Sequence, residues 1–303
     1  MLLVIGVLVP IGLTAQQVED EHIAKIVYLD SIVVRAIQSG FSVEEFIHRV
    51  RIDQTFYAAF RNLRQSSYQM STEMEFQNRR GKLTTNYRAT HEQVYRSPCR
   101  QMRLLKESVE GRWRRRNGKI KYYTAELYQR LFAQEGKVCS EESAVEVSMS
   151  GGQGNIGELK KLLFTPGEPS GLPLIGNKTA IFSDRMISFY DFQIRSMPWD
   201  EKTEAYVFIV KVKPEYADRQ KNHTVVKEMY TFFDSSSWQV LGRQYQLMQK
   251  NALFRFDVSM DIRLIQKDER YYPSFINYAG VWNIPTKKRE EGGFTLNFTN
   301  FTQ

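Results

Sequence analysis

The sequence predicts a mainly β (α+β) fold: a large curved antiparallel sheet, or half-barrel, covered by a few helices. Three observations carry that expectation. Phe254, Phe256, Val258, Met260, Ile262 and Leu264 are apolar at strict period two, opposed by Arg255, Asp257, Ser259, Asp261 and Arg263. That pattern fits a half-buried strand and no helix. Similar alternation recurs at 206–212, 278–284 and 294–298, separated by short turn-like stretches, as in a meander with one oily and one wet face. Helical spacing is confined to a few short segments, which become the available cover for the oily face.

Taken in order, residues 26–36 (IVYLDSIVVRA) have the β-branched content of a strand. Ser42 with Glu45 fits a capping box, and Phe46, Val50, Phe56, Phe60 and Leu63 follow at helical spacing. One helix is expected there, or two short ones broken near Asp53. From Ser66 the period becomes two: Met70, Thr72, Met74 and Phe76 alternate with Ser71, Glu73, Glu75 and Gln77. A turn at 79–82 and an extended run at 87–95 follow. Strands at 102–116 and 119–123 are expected to flank Asn117-Gly118, a strong hairpin signal because both central residues of a type I′ turn need positive φ. A short helix over 124–134 carries Leu127, Leu131 and Phe132. The acidic, small-residue stretch 140–157 reads as a mobile loop, 158–164 as a helical piece and 165–176 as a Pro/Gly-rich connection. A C-terminal antiparallel meander is expected over 178–301, with a hairpin around Ser235, Ser236 and Ser237. Residues 16–303 are expected to form a single β-rich domain.

The N-terminus bears on compartment. Residues 2–13 are almost wholly apolar and lead through Thr14 and Ala15 into Gln16 and Gln17, the pattern of a signal peptide over 1–15. The run is shorter than the ~20 residues that cross a bilayer. An exported, periplasmic or cell-envelope-associated chain is expected. In such a compartment a disulfide is the simplest use of Cys99 and Cys139, two free thiols being the alternative. The formal net charge of +8 points towards anionic surfaces such as phospholipid head groups before nucleic acid.

No spacing in the chain specifies a reaction. Ser150-Gly151-Gly152-Gln153 mimics the signature loop of transporter ATPases, and residues 171–179 nearly match a phosphate-binding loop. In the second string Asn177 displaces Lys178 and Thr179 from the positions their roles require. His22, His48, His91 and His223 show no metal-ligand spacing, and no G-x-S-x-G elbow occurs. No cofactor, no metal and no catalytic residue is expected. Asp257 and Asp261 share a strand face, but the polar one, and read as solvated surface. Asn177, Asn222, Asn297 and Asn300 head N-x-S/T sequons that are incidental in a bacterial envelope. The densest charge is the basic patch of Arg112, Arg114, Arg115, Arg116, Lys119 and Lys121 around Trp113. Its readings are an exposed hairpin face that guards a sheet edge, or a contact with an anionic membrane or glycan. Nucleic acid is not expected as a partner.

The strings LDSIVVRA, FYAAFRNLR, NGKIKYYTAELYQRLF and GVWNIPTKKRE resemble a group of uncharacterised envelope proteins of Gram-negative bacteria. Some of these carry a carboxypeptidase-regulatory-like β domain ahead of this region, which is expected to be absent here. In strand succession the chain is also similar to the LolA/LolB-like lipoprotein carrier fold. That resemblance implies a curved sheet, closed by helices, whose hollow accepts acyl chains. The expected function is a periplasmic or envelope binding protein that carries a lipid, an acylated molecule or another apolar ligand, with Phe254, Phe256, Met260, Ile262, Tyr278 and Trp282 as candidate lining. The other reading of those six is that they simply fill the core. The alternative function is a non-catalytic scaffold or surface-assembly protein acting through a sheet edge or the basic hairpin.

Overall fold

The structure is a computed structural model and describes residues 42–139, 176–217, 223–250, 255–283 and 289–302. The expected signal peptide, the strand at 26–36, the loop at 140–157, the helical piece at 158–164 and Phe254 lie outside those residues.

Two helices open the described chain, α1 (Val43–Ile52) and α2 (Thr55–Arg64). Ser42 Oγ accepts from the Glu45 amide at 3.1 Å and caps α1. Asp53 makes the break: its own ψ of 124° is non-helical, and its carboxylate accepts from the amides of Thr55 and Phe56 at 3.0 and 3.3 Å. It therefore caps α2 from two residues before its first turn. Strands β1 (Ser67–Gln77), β2 (Leu83–Arg96) and β3 (Cys99–Gly111) follow, then α3 (Tyr123–Leu131) and the short β4 (Gly136–Cys139). After one-turn α4 (Asp184–Ile187) come β5 (Tyr190–Pro198), β6 (Glu204–Val212), β7 (Val226–Asp234), β8 (Val240–Lys250), β9 (Arg255–Lys267), β10 (Arg270–Asn283) and β11 (Glu290–Thr302).

The eleven strands of the described residues form one antiparallel sheet in the order β4-β3-β2-β1-β11-β10-β9-β8-β7-β6-β5. It is two meanders joined where the first strand pairs with the last, with Met74 opposite Phe294. The sheet is open, with β4 and β5 at its edges, and the fold is mainly β with few helices. Cys99 and Cys139 pair across β3 and β4, and their sulfurs are bonded.

The period-two residues of β1, β9, β10 and β11 point inward together with Phe208 and Val210 of β6 and Tyr190 and Ile194 of β5, all in one continuous apolar cluster. Phe46 of α1, Phe56 and Phe60 of α2 and Tyr128 of α3 belong to that cluster, so the helices cover the inner face. At roughly 1.5–3 kcal/mol for each large side chain buried, this face supplies the main driving force for the fold. At the centre of the sheet Gly280 stands opposite Gly292, and Gly293 opposite Ala279. A Cβ on Gly292 would lie 2.4 Å from the Glu75 carbonyl, and one on Gly293 2.2 Å from that of Tyr278. Glycine is what lets the strands approach this closely, as at a bend in a curved sheet.

Three expectations change. The strand at 102–116 ends at Gly111, whose φ is +83°, and the hairpin beyond is a loop with a single bridge from Arg114 to Ile120. At Asn117-Gly118 only Gly118 has positive φ, and the Gly118 amide donates to the Arg115 carbonyl at 3.0 Å. This is a type I turn followed by a left-handed glycine rather than type I′, so it does not require two long flanking strands. The outer face is not wet throughout. On β6 and β7, Ala205, Val207, Ile209, Tyr230 and Phe232 are buried outward in a second cluster, because EAYVFIVKV is apolar on both parities. A strand buried on both faces reads as a continuous apolar run.

Candidate functional site

Five of the six candidate lining residues are described, and all five sit on the inner face of β9 and β10. Phe256, Met260, Ile262, Tyr278 and Trp282 are only 2, 6, 2, 3 and 7% exposed. The rings of Phe256 and Trp282 lie 5.3 Å apart, and Tyr278 stacks on Phe294 at 4.9 Å. Their polar atoms are paired: Trp282 Nε1 donates to the Tyr278 hydroxyl at 2.6 Å, and the Tyr245 hydroxyl meets Met260 Sδ at 3.1 Å. Burial raises the Tyr278 and Tyr245 pKa values, so neither phenol ionises near neutral pH. The structure brings these side chains together as an apolar wall packed under the helices.

That cover is attached by side chains. Phe46 of α1 stacks on Phe208 at 5.7 Å and meets Trp238 edge-on at 5.4 Å. Trp238 has a φ of 60°, unusual for a bulky residue, and Arg49 lies 4.0 Å above its ring. Arg243 projects inward from β8 to meet Asp53 at 3.8 Å, its guanidinium 4.5 Å above the Phe56 ring. Thr55 Oγ1 donates to Gln239 Oε1 at 2.5 Å. Grooves of about 430 and 600 Å³ flank this seam, both lined by Thr55, Ala58, Ser237 and Gln239. α3 is tied differently: its Tyr123 and Thr124 amides donate to the Glu290 carboxylate of β11 at 2.6 and 2.8 Å.

The basic residues lie on the solvent side of the 111–122 loop. Arg112, Arg114, Arg115, Arg116 and Lys119 are exposed, and Lys121 is half-buried with its ammonium 2.6 Å from the Tyr122 hydroxyl. Trp113 turns inward and stacks on Tyr87 at 4.0 Å, and Tyr122 stacks on Phe76 at 3.7 Å. Trp113 is therefore a core anchor, not a stacking platform for bases. Asp257 lines an outer-face groove of about 590 Å³ with Glu73, Glu75 and Glu291, and it accepts from Gln246 at 3.1 Å. Among the described residues, no group of three or more His, Cys, Asp or Glu side chains is placed to hold a metal ion.

No protein-family model and no curated protein matches the chain. Solved structures similar to it include three bacterial proteins. An outer membrane lipoprotein-sorting protein domain from Vibrio parahaemolyticus shares 9% identity over 86% of this chain and 91% of its own, with a TM-score of 0.27. A LolA superfamily protein from Nitrosomonas europaea shares 8% over 82% and 91%, with a TM-score of 0.24. A DUF1329 family protein from Desulfovibrio piger shares 11% over 82% and 92%, with a TM-score of 0.22. At such scores neither ligand nor site transfers from them to this chain.

The apolar parity of β9 and β10 is legible in the sequence, but the contacts that fasten the helices over it are not. Asp53 was legible as a helix break, whereas Arg243 carried no signal of its own. Their pairing spans 190 positions and has no local signal. Glu290, which caps α3 from β11, left none either.

Proposed function

We propose that the chain is a periplasmic or envelope-associated binding protein that carries a lipid or other apolar ligand against the inner face of its sheet. One observation supports this most. The aromatic inner face has a complete backbone ladder of its own, and its cover consists of short helices fastened by side chains. Lifting α1 and α2 would break no strand pairing. It would expose an apolar wall against which an acyl chain replaces the contacts of Phe46, Phe56 and Phe60. The basic 111–122 loop gives the carrier a contact with an anionic membrane surface. No step of this role needs a catalytic group.

The test is uptake of 1-N-phenylnaphthylamine, whose emission rises and shifts to the blue in an apolar site. A carrier enhances it, and palmitate then displaces the dye. A folded protein that leaves the dye emission unchanged contradicts the reading.

The scaffold alternative is favoured by β3. Beyond the four residues that pair with β4, residues 103–111 have no strand on their far side among the described residues, and Leu105 and Val109 are 52 and 40% exposed. Such an edge can accept another strand.

A further inference from the structure

At the C-terminal end of α2, Arg64 and Arg100 both stand at the Leu63–Ser66 corner, and neither has an acid partner among the described residues. Arg64 closes α2 and Arg100 stands near the start of β3. Arg64 donates through Nη2 to the Leu131 carbonyl, at the end of α3, at 3.4 Å. Arg100 donates through Nη1 to Gln93 Oε1 at 3.4 Å, and the Tyr68 hydroxyl reaches the same oxygen at 3.5 Å. Gln93 is itself fixed, because its Nε2 donates to the carbonyls of Leu63 and Ser66 at 3.0 and 2.7 Å. A guanidinium carries five N–H donors. Among the described residues each arginine makes one long side-chain bond and pairs with no carboxylate, so most of its forked donors are available to an anion.

The electrostatics agree with the geometry. Burial, and after it the nearby Arg100, push the Arg64 guanidinium down to about 10, and burial lowers Arg100 as well. Both remain charged at neutral pH. Burial raises the Tyr68 hydroxyl to about 12, against the pull of both arginines, so it stays a neutral donor. Two half-buried like charges with no counter-ion among the described residues cost free energy that a bound anion would offset. The negative ends of two helix dipoles offset part of it, but they do not use the forked donors, which match the oxygens of a phosphate. Two forks suit a tetrahedral dianion better than a single carboxylate.

We infer that Arg64 and Arg100, with the Tyr68 hydroxyl, form a binding site for a phosphate group. Tyr68 packs against Phe298 and Phe301 at 5.6 and 6.2 Å, so the site adjoins the apolar inner face. In a lipid the phosphate would anchor here while the acyl chains run along the sheet. That extension rests on the carrier reading; the anion site itself does not.

The experiment is calorimetric titration of the wild type, Arg64→Gln, Arg100→Gln and the double variant. The ligands are dihexanoyl phosphatidic acid, dihexanoylglycerol and inorganic phosphate. Phosphatidic acid is expected to bind the wild type, about tenfold more weakly each single variant, and the double variant no better than dihexanoylglycerol. Inorganic phosphate binding as tightly as phosphatidic acid assigns the site to a free phosphate; much weaker binding assigns it to a lipid head group. Folded variants that bind phosphatidic acid like the wild type overturn the site and leave the carrier reading intact. Arginine-dependent phosphate binding with no binding of dihexanoylglycerol does the reverse. Melting temperature covers a variant too damaged to titrate. Added phosphate at constant ionic strength should raise the wild-type melting temperature, and ligand-free Arg100→Gln should melt no lower than the wild type. Arginines that only cap helices would give a lower melting temperature on substitution and no phosphate-specific shift, which overturns the inference.

Discussion

Arg243 is 1% exposed and Asp53 7%, and their contact joins the sheet to the junction of α1 and α2. Burial lowers the Arg243 pKa, with Asp53 opposing it. The two residues are not equally replaceable. Asp53 also accepts two backbone amides of α2, whereas Arg243 has no other acid among the described residues. Asp53→Ala strands a buried cation and removes a helix cap together, and should cost about 3–5 kcal/mol in urea unfolding at neutral pH. Arg243→Met should cost clearly less; equal losses would mean that the pair does not fasten the cover. His91 makes a second prediction at this scale. It is buried with Nδ1 3.5 Å from the Tyr128 hydroxyl, and burial holds its pKa below the ordinary value, Glu107 opposing. Below about 6.5 the unfolded chain then binds the proton more readily than the folded one. Stability contributed by neutral His91 is present above that pH and is lost as pH falls towards the folded-state value. Urea unfolding of the wild type and His91→Gln at several pH values between 5 and 8 should show a steeper acid-side decline in the wild type. Parallel profiles would contradict it.

At the scale of elements, the sequence was most legible where one parity was apolar and the other polar, as in β1, β9 and β11. Burial on one face leaves a period that can be read directly. It was least legible where that asymmetry fails. β5 was not foreseen, and β6 is apolar on both parities, so its outward cluster could not be told from alternation. Turn chemistry also misled: Asn117-Gly118 closes only a bridged loop. Asp268 and Glu269, both with positive φ, make the two-residue turn between β9 and β10 without a glycine to advertise it. The glycines at 280, 292 and 293 were visible, but their role depends on strands that meet only in the fold. Gly293→Ala should therefore destabilise by about 1–3 kcal/mol or more, since its Cβ meets backbone that cannot move aside. At Gly118 nothing lies within 4 Å, and Gly118→Ala should cost only its backbone strain, about 1–2 kcal/mol. Thermal unfolding of the two variants ranks them; a milder effect at Gly293 would contradict the close approach of β10 and β11.

For the whole molecule, an open sheet of eleven strands with its inner wall already packed can hold a ligand only by exchanging helix contacts for ligand contacts. A scaffold would keep that wall closed and work through its edge or its basic loop. The decisive measurement is organic extraction and mass spectrometry of the protein, purified from a native-like envelope without detergent. The carrier account predicts a stoichiometric phospholipid or acyl chain that leaves with the protein. A stable, folded and ligand-free protein would contradict it and transfer the function to the open edge of β3.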